Sequence, residues 1–412
     1  MSPHDMRCRF CQEPLRHTFV DLGVSPLANA FVKPEGVHGM EPCFPLHAYV
    51  CDRCFLVQLE EYESPENIFE DYVYFSSFSE SWLEHCARYV DKMIDELGLD
   101  KSSSVVEIAS NDGYLLQYFK QREVPVLGVE PAKNVALAAI EKGIPTEMAF
   151  FGAERAEQMR SRGISADLMV ANNVLAHVPD VNDFIEGFNI LLNSNGVATF
   201  EFPHLLKLME EVQFDTIYHE HFSYLSLSVA KKIFEAHGLE VFHVEKLPTH
   251  GGSLRLYIQH AGGSRPMMNS IADVEKQEEK FGLKTLETYQ RFSEKVKSLK
   301  RDLLSLLIAM KNDKKTIVAY GAAAKGNTLL NYCGIRTDFI DYVVDRNPHK
   351  QGLLLPGSRI PVYDTEKIRE TRPDYILILP WNLREEITGQ MSFVRDWGGR
   401  FIVPVPEPRI LE

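Results

Sequence analysis

The stretch Val105-Val106-Glu107-Ile108-Ala109-Ser110-Asn111-Asp112-Gly113 joins a short apolar strand to a turn of small residues. A segment with apolar residues at helical spacing follows, and a second apolar strand, 126–129, ends at Glu130. A strand, a glycine-containing turn, a helix and an acidic strand end about 20 residues on form the nucleoside-binding pattern of doubly wound α/β domains. In that pattern the acid accepts hydrogen bonds from the ribose hydroxyls, so we predict an α/β fold with a Rossmann-like central domain.

The turn also indicates which cofactor it would take. Gly113 is its only glycine, so the G-x-G-x-x-G fingerprint of dinucleotide-binding domains is absent. The missing pyrophosphate cradle argues against a dinucleotide and is compatible with S-adenosylmethionine, which has no phosphate. The candidate cofactor contacts at this edge are Glu107, Ala109, Asn111, Gly113 and Glu130.

Strands and helices keep alternating beyond this unit. The pattern predicts helices at 132–142, 152–161, 181–192 and 226–237, and strands at 146–149, 167–171, 196–202, 239–246 and 253–259. Such repeats predict a parallel sheet whose ligand lies at the carboxyl ends of the strands. Asn172 and His177 follow one of these strand ends, so we predict Asn172 as a cofactor contact and His177 as a functional residue, with a purely structural histidine as the alternative.

The loop 215–224 follows the fifth strand of this domain and should return over the same edge. It holds a tyrosine, a glutamate and two histidines at four consecutive positions, 218–221, with Tyr224 close behind. These side chains carry protons near neutral pH. Two histidines beside a glutamate could also suggest a metal site. However, helical histidine pairs that bind zinc lie four residues apart, whereas these lie two apart, so the spacing argues against such a site. A polar surface loop is the alternative interpretation.

Two C-x-x-C pairs, Cys8–Cys11 and Cys51–Cys54, open the chain. Each pair suits a tight turn that aims two thiolates at one point, and two pairs build a tetrahedral zinc site. Because all four ligand positions would be filled, we expect a structural zinc ion. Thiols used for a metal rather than for disulfides indicate a reducing compartment, so we expect a cytoplasmic protein.

The C-terminal part predicts a second, smaller Rossmann-like α/β domain. Residues 271–312 read as one long charged helix, and the strand 316–319 then opens into a turn of small residues and a helix. A helix N-terminus favours an anion, and a lysine here adds positive charge. We predict a diphosphate-binding unit, with a purely structural duplicate as the alternative. Its expected substrate-binding residues are Tyr320, Gly321, Ala323, Lys325, Asn327 and, after the strand 339–344, Asp345.

Composition sets further bounds. The 412 residues are 45% hydrophobic and 25% charged, as in ordinary globular proteins, and the net charge of -14 argues against nucleic acid as a partner. No run of 18 apolar residues occurs, and Met1 to Phe10 does not resemble a signal peptide, so we expect no membrane association. We expect a monomer or a weak homo-oligomer.

Taken together, these motifs resemble the sugar C-methyltransferases of deoxysugar biosynthesis, which methylate C-3 of a nucleotide-linked 4-keto sugar. The resemblance covers nearly the whole chain. It rests on both C-x-x-C pairs and on the segments Asp71-Tyr72-Val73-Tyr74-Phe75-Ser76-Ser77, Glu107-Ile108-Ala109-Ser110-Asn111-Asp112-Gly113, Asn172-Asn173-Val174-Leu175-Ala176-His177, Tyr218-His219-Glu220-His221-Phe222 and Gly321-Ala322-Ala323-Ala324-Lys325-Gly326-Asn327-Thr328. It implies a zinc-binding domain over 1–70, an S-adenosylmethionine-binding class I methyltransferase domain over 71–265, and a long helix plus sugar-nucleotide-binding domain over 266–412.

The resemblance also implies roles for site residues. The family's base corresponds to His221, which would remove the C-3 proton beside the ketone. His177, Tyr218 and Tyr72 would donate to the C-4 oxygen or orient the sugar. Glu220 would orient an imidazole or bind a sugar substituent. The remaining expected sugar contacts are Tyr74, His219 and Tyr224, and the carrier nucleotide is expected to be dTDP first and GDP second.

Three alternatives stay open at this point. One is an NAD-dependent sugar-nucleotide oxidoreductase, against which the missing G-x-G-x-x-G counts in both α/β units. Another is a zinc-ribbon binding module fused to a catalytically inactive methyltransferase fold. The third is an O- or N-methyltransferase, which would have less need of a base for a carbon acid.

Overall fold

A computed structural model describes residues 6–64, 76–78 and 80–411. The strands are β1 His17–Ser25, β2 Phe44–Val50, β3 Val57–Leu59, β4 Val105–Ile108, β5 Val126–Val129, β6 Thr146–Glu147, β7 Ala166–Asn172, β8 Leu192–Pro203, β9 Ser223–Tyr224, β10 Leu239–Leu247, β11 Ser253–His260, β12 Ile317–Tyr320, β13 Val343–Val344, β14 Val362–Tyr363, β15 Tyr375–Ile378, β16 Arg400–Val403 and β17 Arg409–Leu411. The α-helices are α1 Glu80–Leu97, α2 Leu116–Gln121, α3 Lys133–Glu141, α4 Ala153–Ser161, α5 Val181–Leu191, α6 Leu205–Glu210, α7 Leu227–Ala236, α8 Asn269–Phe281, α9 Leu286–Gln290, α10 Phe292–Asn312, α11 Ala324–Cys333, α12 Lys367–Thr371 and α13 Arg384–Gln390.

The chain forms two compact units, each assembled from separate stretches. The first contains residues 1–15, 51–204 and 222–284, and the second contains 16–50, 205–221 and 285–412. Both cysteine pairs therefore belong to the first unit, and the loop residues 218–221 belong to the second. The division into three domains after residues 70 and 265 stays a prediction.

The first unit is built on a seven-stranded sheet with the order β10-β11-β8-β7-β4-β5-β6. Strands β4 to β8 are parallel, and β11 runs antiparallel between β8 and β10. This is the Rossmann-like sheet that the sequence pattern predicted. The central strand β7 is buried along nearly its whole length, because a parallel sheet is covered on both faces and its strands read as continuous apolar runs. The short pair β3–β9 also belongs to this unit.

The second unit is built on a six-stranded sheet with the order β14-β13-β12-β15-β16-β17. All neighbours are parallel except β17, which pairs antiparallel with β16. The antiparallel pair β1–β2 belongs to this unit as well. The predicted smaller α/β fold is thus confirmed. Its strand β12 lies in the middle of the sheet, so the turn of small residues that follows β12 lies at the carboxyl edge.

Three local expectations were wrong. The single helix expected over 271–312 is broken into α8, α9 and α10, and α8 ends at Gly282 in a left-handed conformation with φ of 100°. Such a glycine ends a helix because it adopts positive φ without steric cost. The strand expected over 339–344 shrinks to Val343–Val344. The strand expected to begin at residue 196 begins at Leu192 instead, and its pairing with β7 is irregular between Leu192 and Val197.

Among the helices of the described residues, none is both long and apolar enough to cross a membrane.

Candidate active site

The four cysteines converge on one point in the first unit. Their Sγ atoms all lie within 4.8 Å of one another, and the pairs Cys8–Cys54 and Cys11–Cys51 are each 3.5 Å apart. Tetrahedral zinc–thiolate bonds of about 2.3 Å require sulfur atoms slightly under 4 Å apart, so the cluster fits a zinc ion. The Gln58 amide lies 3.2 Å from the Cys8 sulfur and would donate to the thiolate.

The two cysteine turns have the same backbone. The amide of Gln12 donates to the Cys8 carbonyl over 2.9 Å, and the amide of Phe55 donates to the Cys51 carbonyl over 3.0 Å. Both residues adopt positive φ, 61° and 68°. Each C-x-x-C pair is therefore held in a tight turn by local hydrogen bonds, and this arrangement aims both thiolates at the metal position.

The turn after β4 carries most of the predicted cofactor residues. Ala109, Asn111 and Gly113 have positive φ of 56°, 49° and 75°, so the backbone folds back sharply at the carboxyl edge of the sheet. A Cβ at Gly113 would lie 2.9 Å from the Ile144 side chain, which excludes a larger residue there. The small residues of this turn are thus required by backbone shape as well as by access to a ligand.

Glu130 clamps this turn from the end of β5. One carboxylate oxygen accepts the Asn111 amide over 2.9 Å, and the other accepts the Ala132 amide over 2.8 Å. Burial raises the pKa of Glu130 to about 7, although these two hydrogen bonds oppose the rise. Each oxygen keeps a second lone pair that could accept a hydroxyl group.

Glu107 lies within β4 and is completely buried. Burial raises its pKa well above the ordinary value, and the Tyr114 hydroxyl beside it opposes that rise. Asp112 is 2% exposed and forms an ion pair of 2.9 Å with Lys142. The surroundings of the first turn are therefore rich in buried carboxyl groups.

Asn172 ends β7, the strand beside β4. It is 7% exposed, and neither its amide nitrogen nor its amide oxygen has a hydrogen-bond partner among the described residues. A buried amide without partners costs free energy unless a ligand or water satisfies it. His177 ends the short helical turn 175–177 and is half-buried. The structure thus brings all six predicted cofactor residues to the carboxyl edge of strands β4, β5 and β7.

The loop with His221 lies in the second unit. The Nδ1 atom of His221 is 2.9 Å from the Thr216 carbonyl oxygen, and its ring lies against the Tyr218 ring with centroids 4.0 Å apart and the planes tilted by 34°. A carbonyl oxygen can only accept, so Nδ1 carries the hydrogen. In the neutral ring the lone pair is then on Nε2, which makes Nε2 the basic nitrogen.

Glu220 is almost completely buried beside this histidine in the sequence. It is 3% exposed, and one of its oxygens accepts the Asn29 side-chain amide over 2.6 Å. Burial raises its pKa to about 7, while Asn29 and the nearby Lys350 oppose the rise. His219 contacts the Pro45 carbonyl through Nε2 at 3.1 Å, and burial lowers the pKa of His219.

The turn after β12 repeats the clamp seen in the first unit. Asp345, which directly follows β13, accepts the Ala322 amide over 2.7 Å and the Asn347 amide over 2.8 Å. Gly321 has φ of 92°, and a Cβ there would lie 2.4 Å from Pro380. Helix α11 begins directly after this turn, and the side chain of its N-cap residue, Ala323, makes no capping hydrogen bond.

Two lysines face this turn region. Lys325 donates to Asn382 over 2.8 Å and lies 4.7 Å above the Trp381 ring, and the charge of the buried Asp215 stabilises its ammonium. Lys350 donates to the Ala322 carbonyl over 2.8 Å. Burial lowers the pKa of both lysines.

Other predicted residues have different placements. Tyr72 and Tyr74 lie outside the described residues. Tyr224 is buried in β9 of the first unit. The Tyr320 hydroxyl donates to Gln390, and the side-chain amide of Asn327 donates to the Ala28 carbonyl over 2.6 Å. Their expected sugar contacts, like all the residue roles in the site, stay predictions.

Sequence reasoning missed several residues of this region, namely Asn29, Lys350, Asp215 and Trp381. Asp215 accepts the Trp381 indole hydrogen over 2.7 Å although the two are 166 positions apart. No local pattern marks such pairs. The only available signal was that Asp215 opens the loop that was singled out for its histidines.

Comparison with known families agrees with this architecture. A model described as a zinc-binding domain matches residues 8–69, a methyltransferase domain matches 82–244, and a C-methyltransferase C-terminal domain matches 248–406. The class defined by the fold and the cysteine cluster is therefore a zinc-containing methyltransferase. The chain is also 36% identical to the C-methyltransferase NovU from Streptomyces niveus over 404 residues, which cover 98% of this chain and 96% of that protein. The chain belongs to this C-methyltransferase family, and S-adenosylmethionine is its methyl donor.

Solved structures resemble the chain only in part. An S-adenosylmethionine-dependent methyltransferase from Clostridium acetobutylicum has a TM-score of 0.36 and 11% identity, covering 44% of this chain and 92% of that one. The magnesium protoporphyrin IX methyltransferase of Synechocystis PCC 6803 with bound SAM has a TM-score of 0.33 and 15% identity, covering 44% and 82%. Likeness at this level adds nothing to the assignment, which rests on the family matches and the full-length relative.

Proposed function

We propose that this C-methyltransferase adds a methyl group to C-3 of a nucleotide-linked 4-keto-6-deoxy sugar, with dTDP as the first expected carrier and GDP as the second. The observation that carries the proposal is the setting of His221. The Thr216 carbonyl accepts the hydrogen bond from Nδ1–H, so Nε2 carries the lone pair that can take up a proton. A methyl transfer to oxygen or nitrogen has less need of such a base.

The chemistry of the sugar explains the need for a base. A C–H bond beside a ketone becomes acidic enough to break only if the base is well placed and the enolate oxygen is stabilised. In this proposal His221 removes the C-3 proton, and Tyr218 and His177 are candidate donors to the C-4 oxygen, with Tyr72 as a further candidate. S-adenosylmethionine supplies a methyl group on a sulfonium, which needs no further activation by the protein.

The cofactor would be held in the first unit. Glu130 would accept the ribose hydroxyls with the lone pairs that its backbone clamp leaves open, and the buried Asn172 amide would gain the partners it lacks. The positive φ of Ala109 and Asn111 brings the backbone close to such a ligand. The roles of these chain groups are binding and orientation.

The nucleotide diphosphate would bind in the second unit, at the turn 321–323. The uncapped amides of α11 and the ammonium groups of Lys325 and Lys350 together favour an anion. The cytoplasmic location and the monomeric or weakly associated state stay predictions.

The experiment is incubation with S-adenosylmethionine and a dTDP-4-keto-6-deoxy sugar in deuterated water, followed by mass spectrometry. We expect a product that has gained one methyl group, and NMR should place that group on C-3. Without S-adenosylmethionine, the C-3 hydrogen should exchange for deuterium. If neither exchange nor methylation occurs with dTDP- or GDP-linked keto sugars, the proposal is wrong.

A further inference from the structure

The buried Glu220 carboxylate is held by a residue from the N-terminal part of the chain. The side-chain nitrogen of Asn29 lies 2.6 Å from one Glu220 oxygen, a short distance for this type of bond. The two residues are 191 positions apart in the sequence but belong to the same compact unit. Asn29 follows β1 in the loop 26–30 and is half-buried.

Helix α11 supports both partners of this contact. The side-chain amide of Asn327 donates to the carbonyl of Ala28, next to Asn29, over 2.6 Å, and Asn327 is 1% exposed. The Thr328 hydroxyl donates to the Ile217 carbonyl in the Glu220 loop over 3.1 Å. Asn327 and Thr328 lie in the segment expected to bind the sugar nucleotide. They therefore hold both the loop that carries Glu220 and the loop 26–30 that carries Asn29.

The charges near Glu220 show what the Asn29 contact does. Lys350 faces Glu220 from the loop after β13, and Asp345 in turn acts on Lys350. On its own loop Glu220 is flanked by His219 and His221. Burial raises the Glu220 pKa to about 7, and the amide hydrogen from Asn29 opposes this because it stabilises the ionised carboxylate.

We propose that Asn29 is a positioning residue for methyl transfer: its amide fixes the Glu220 carboxylate and thereby the loop that carries His221. This inference rests on the proposed function and extends it to a residue without a place in the sequence motifs. Asn29 acts through Glu220 and has no contact with the reacting atoms in this proposal. Its loss should therefore affect kcat more than KM.

The test compares Asn29→Ala, Asn29→Asp and Asn29→Gln with the wild type. In Asn29→Ala, kcat should fall about tenfold with little change in KM, the usual scale for a hydrogen bond to a charged group. In this proposal the reaction requires an ionised Glu220 as well as a neutral His221, so the acid limb of kcat/KM against pH should move up by about one unit when the ionised Glu220 loses its donor. Asn29→Asp should shift the acid limb further. Asn29→Gln, which keeps the amide, should restore part of the rate lost in Asn29→Ala.

Asn312→Asp is the matched control, since it makes the same chemical change at the exposed end of α10. It should leave kcat and the pH profile unchanged. Circular dichroism checks the fold of every variant, and if Asn29→Ala does not fold, the isosteric Asn29→Asp decides. Wild-type kcat and an unmoved acid limb in the folded variants would overturn the proposal.

A second readout does not depend on turnover. The carbon-13 signal of the Glu220 carboxyl, assigned with Glu220→Gln, should titrate at higher pH in Asn29→Ala than in the wild type. If the wild type acts on no keto sugar, the proposed function fails, and the titration still decides the Asn29 contact. Identical titration of Glu220 in both proteins would overturn it.

Discussion

The turns after β4 and β12 have the same construction but differ in the charged groups around them. In each, an acidic residue near the end of the next strand accepts one amide from the turn and a second amide two residues beyond itself, Glu130 in the first unit and Asp345 in the second. The first turn has the buried carboxyl groups of Glu107 and Asp112 close by. The second has Lys325 instead, together with a second lysine at position 350.

The difference shows how one backbone arrangement can serve two ligands. Carboxyl groups and a polar amide suit a ribose and a positively charged sulfonium, whereas ammonium groups and a helix N-terminus suit a diphosphate. The acid clamp explains why both turns keep their shape, and the neighbouring charges distinguish them. The comparison therefore predicts that changes in one turn affect one ligand only.

Replacement of His221 should give the largest effect. His221→Asn should lower kcat by about 10²- to 10⁴-fold, the usual contribution of a general base. The affinity for S-adenosylmethionine, measured by calorimetry, should stay unchanged because the first turn is intact. His38→Asn at an exposed position is the control. Turnover near the wild-type rate in His221→Asn would exclude this residue as the base.

Loss of the metal should destabilise the protein, and this effect does not distinguish the turn after β4 from the turn after β12. Cys51→Ser removes one of four converging ligands, so zinc content should fall and the melting temperature should drop on the order of 10 °C. Cys43→Ser, at an exposed cysteine outside the cluster, should change neither. Zinc analysis and calorimetry measure both effects, and an unchanged metal content in Cys51→Ser would argue against the four-cysteine site.

The acid clamps allow a direct test of the comparison. Glu130→Gln should weaken S-adenosylmethionine binding about tenfold, since a charged acceptor is lost, and leave the KM of the sugar nucleotide unchanged. Asp345→Asn should instead raise the KM of the sugar nucleotide and leave S-adenosylmethionine binding unchanged. Each variant is the control for the other. If either one weakens both ligands equally, the two turns do not bind separate ligands.

The pH dependence of cofactor binding should be the smallest effect. Because the pKa of Glu130 is raised to about 7, the carboxyl is partly protonated below that pH and accepts ribose hydroxyls less well. The affinity for S-adenosylmethionine should therefore rise several-fold as pH increases from about 6 to 8. Calorimetry over this range measures it, and Glu130→Gln should give a flat profile.

Sequence periodicity predicted the regular elements well. Strand β5 has the predicted bounds, and helices α3, α4, α5 and α7 begin and end within one residue of the predicted positions, because each combines a clear apolar pattern with a local end signal. The long helix over 271–312 was predicted wrongly, since its charged surface pattern continues across Gly282. In that case a single positive-φ residue decided the end of the helix.

The site was predictable only in part. The turns, the cysteine pairs and the histidine loop are continuous motifs whose residue types indicate a chemistry. Asn29 and Lys350 lie in loops with no such pattern, and they face Glu220 only because the chain folds back. The substrate contact expected of Asn327 stays a prediction, and its side-chain amide donates to the Ala28 carbonyl, which no sequence pattern indicated.

The amino-acid sequence by itself determined the alternation of strands and helices, the four metal ligands and the two small-residue turns. These depend on interactions between residues close in the chain, which leave regular patterns. Only the tertiary structure decided which amide holds Glu220, which carbonyl sets the proton on His221, and which charges surround each turn. Except for the Thr216 carbonyl that contacts His221, these contacts join residues far apart in the chain, and burial makes them strong by excluding water.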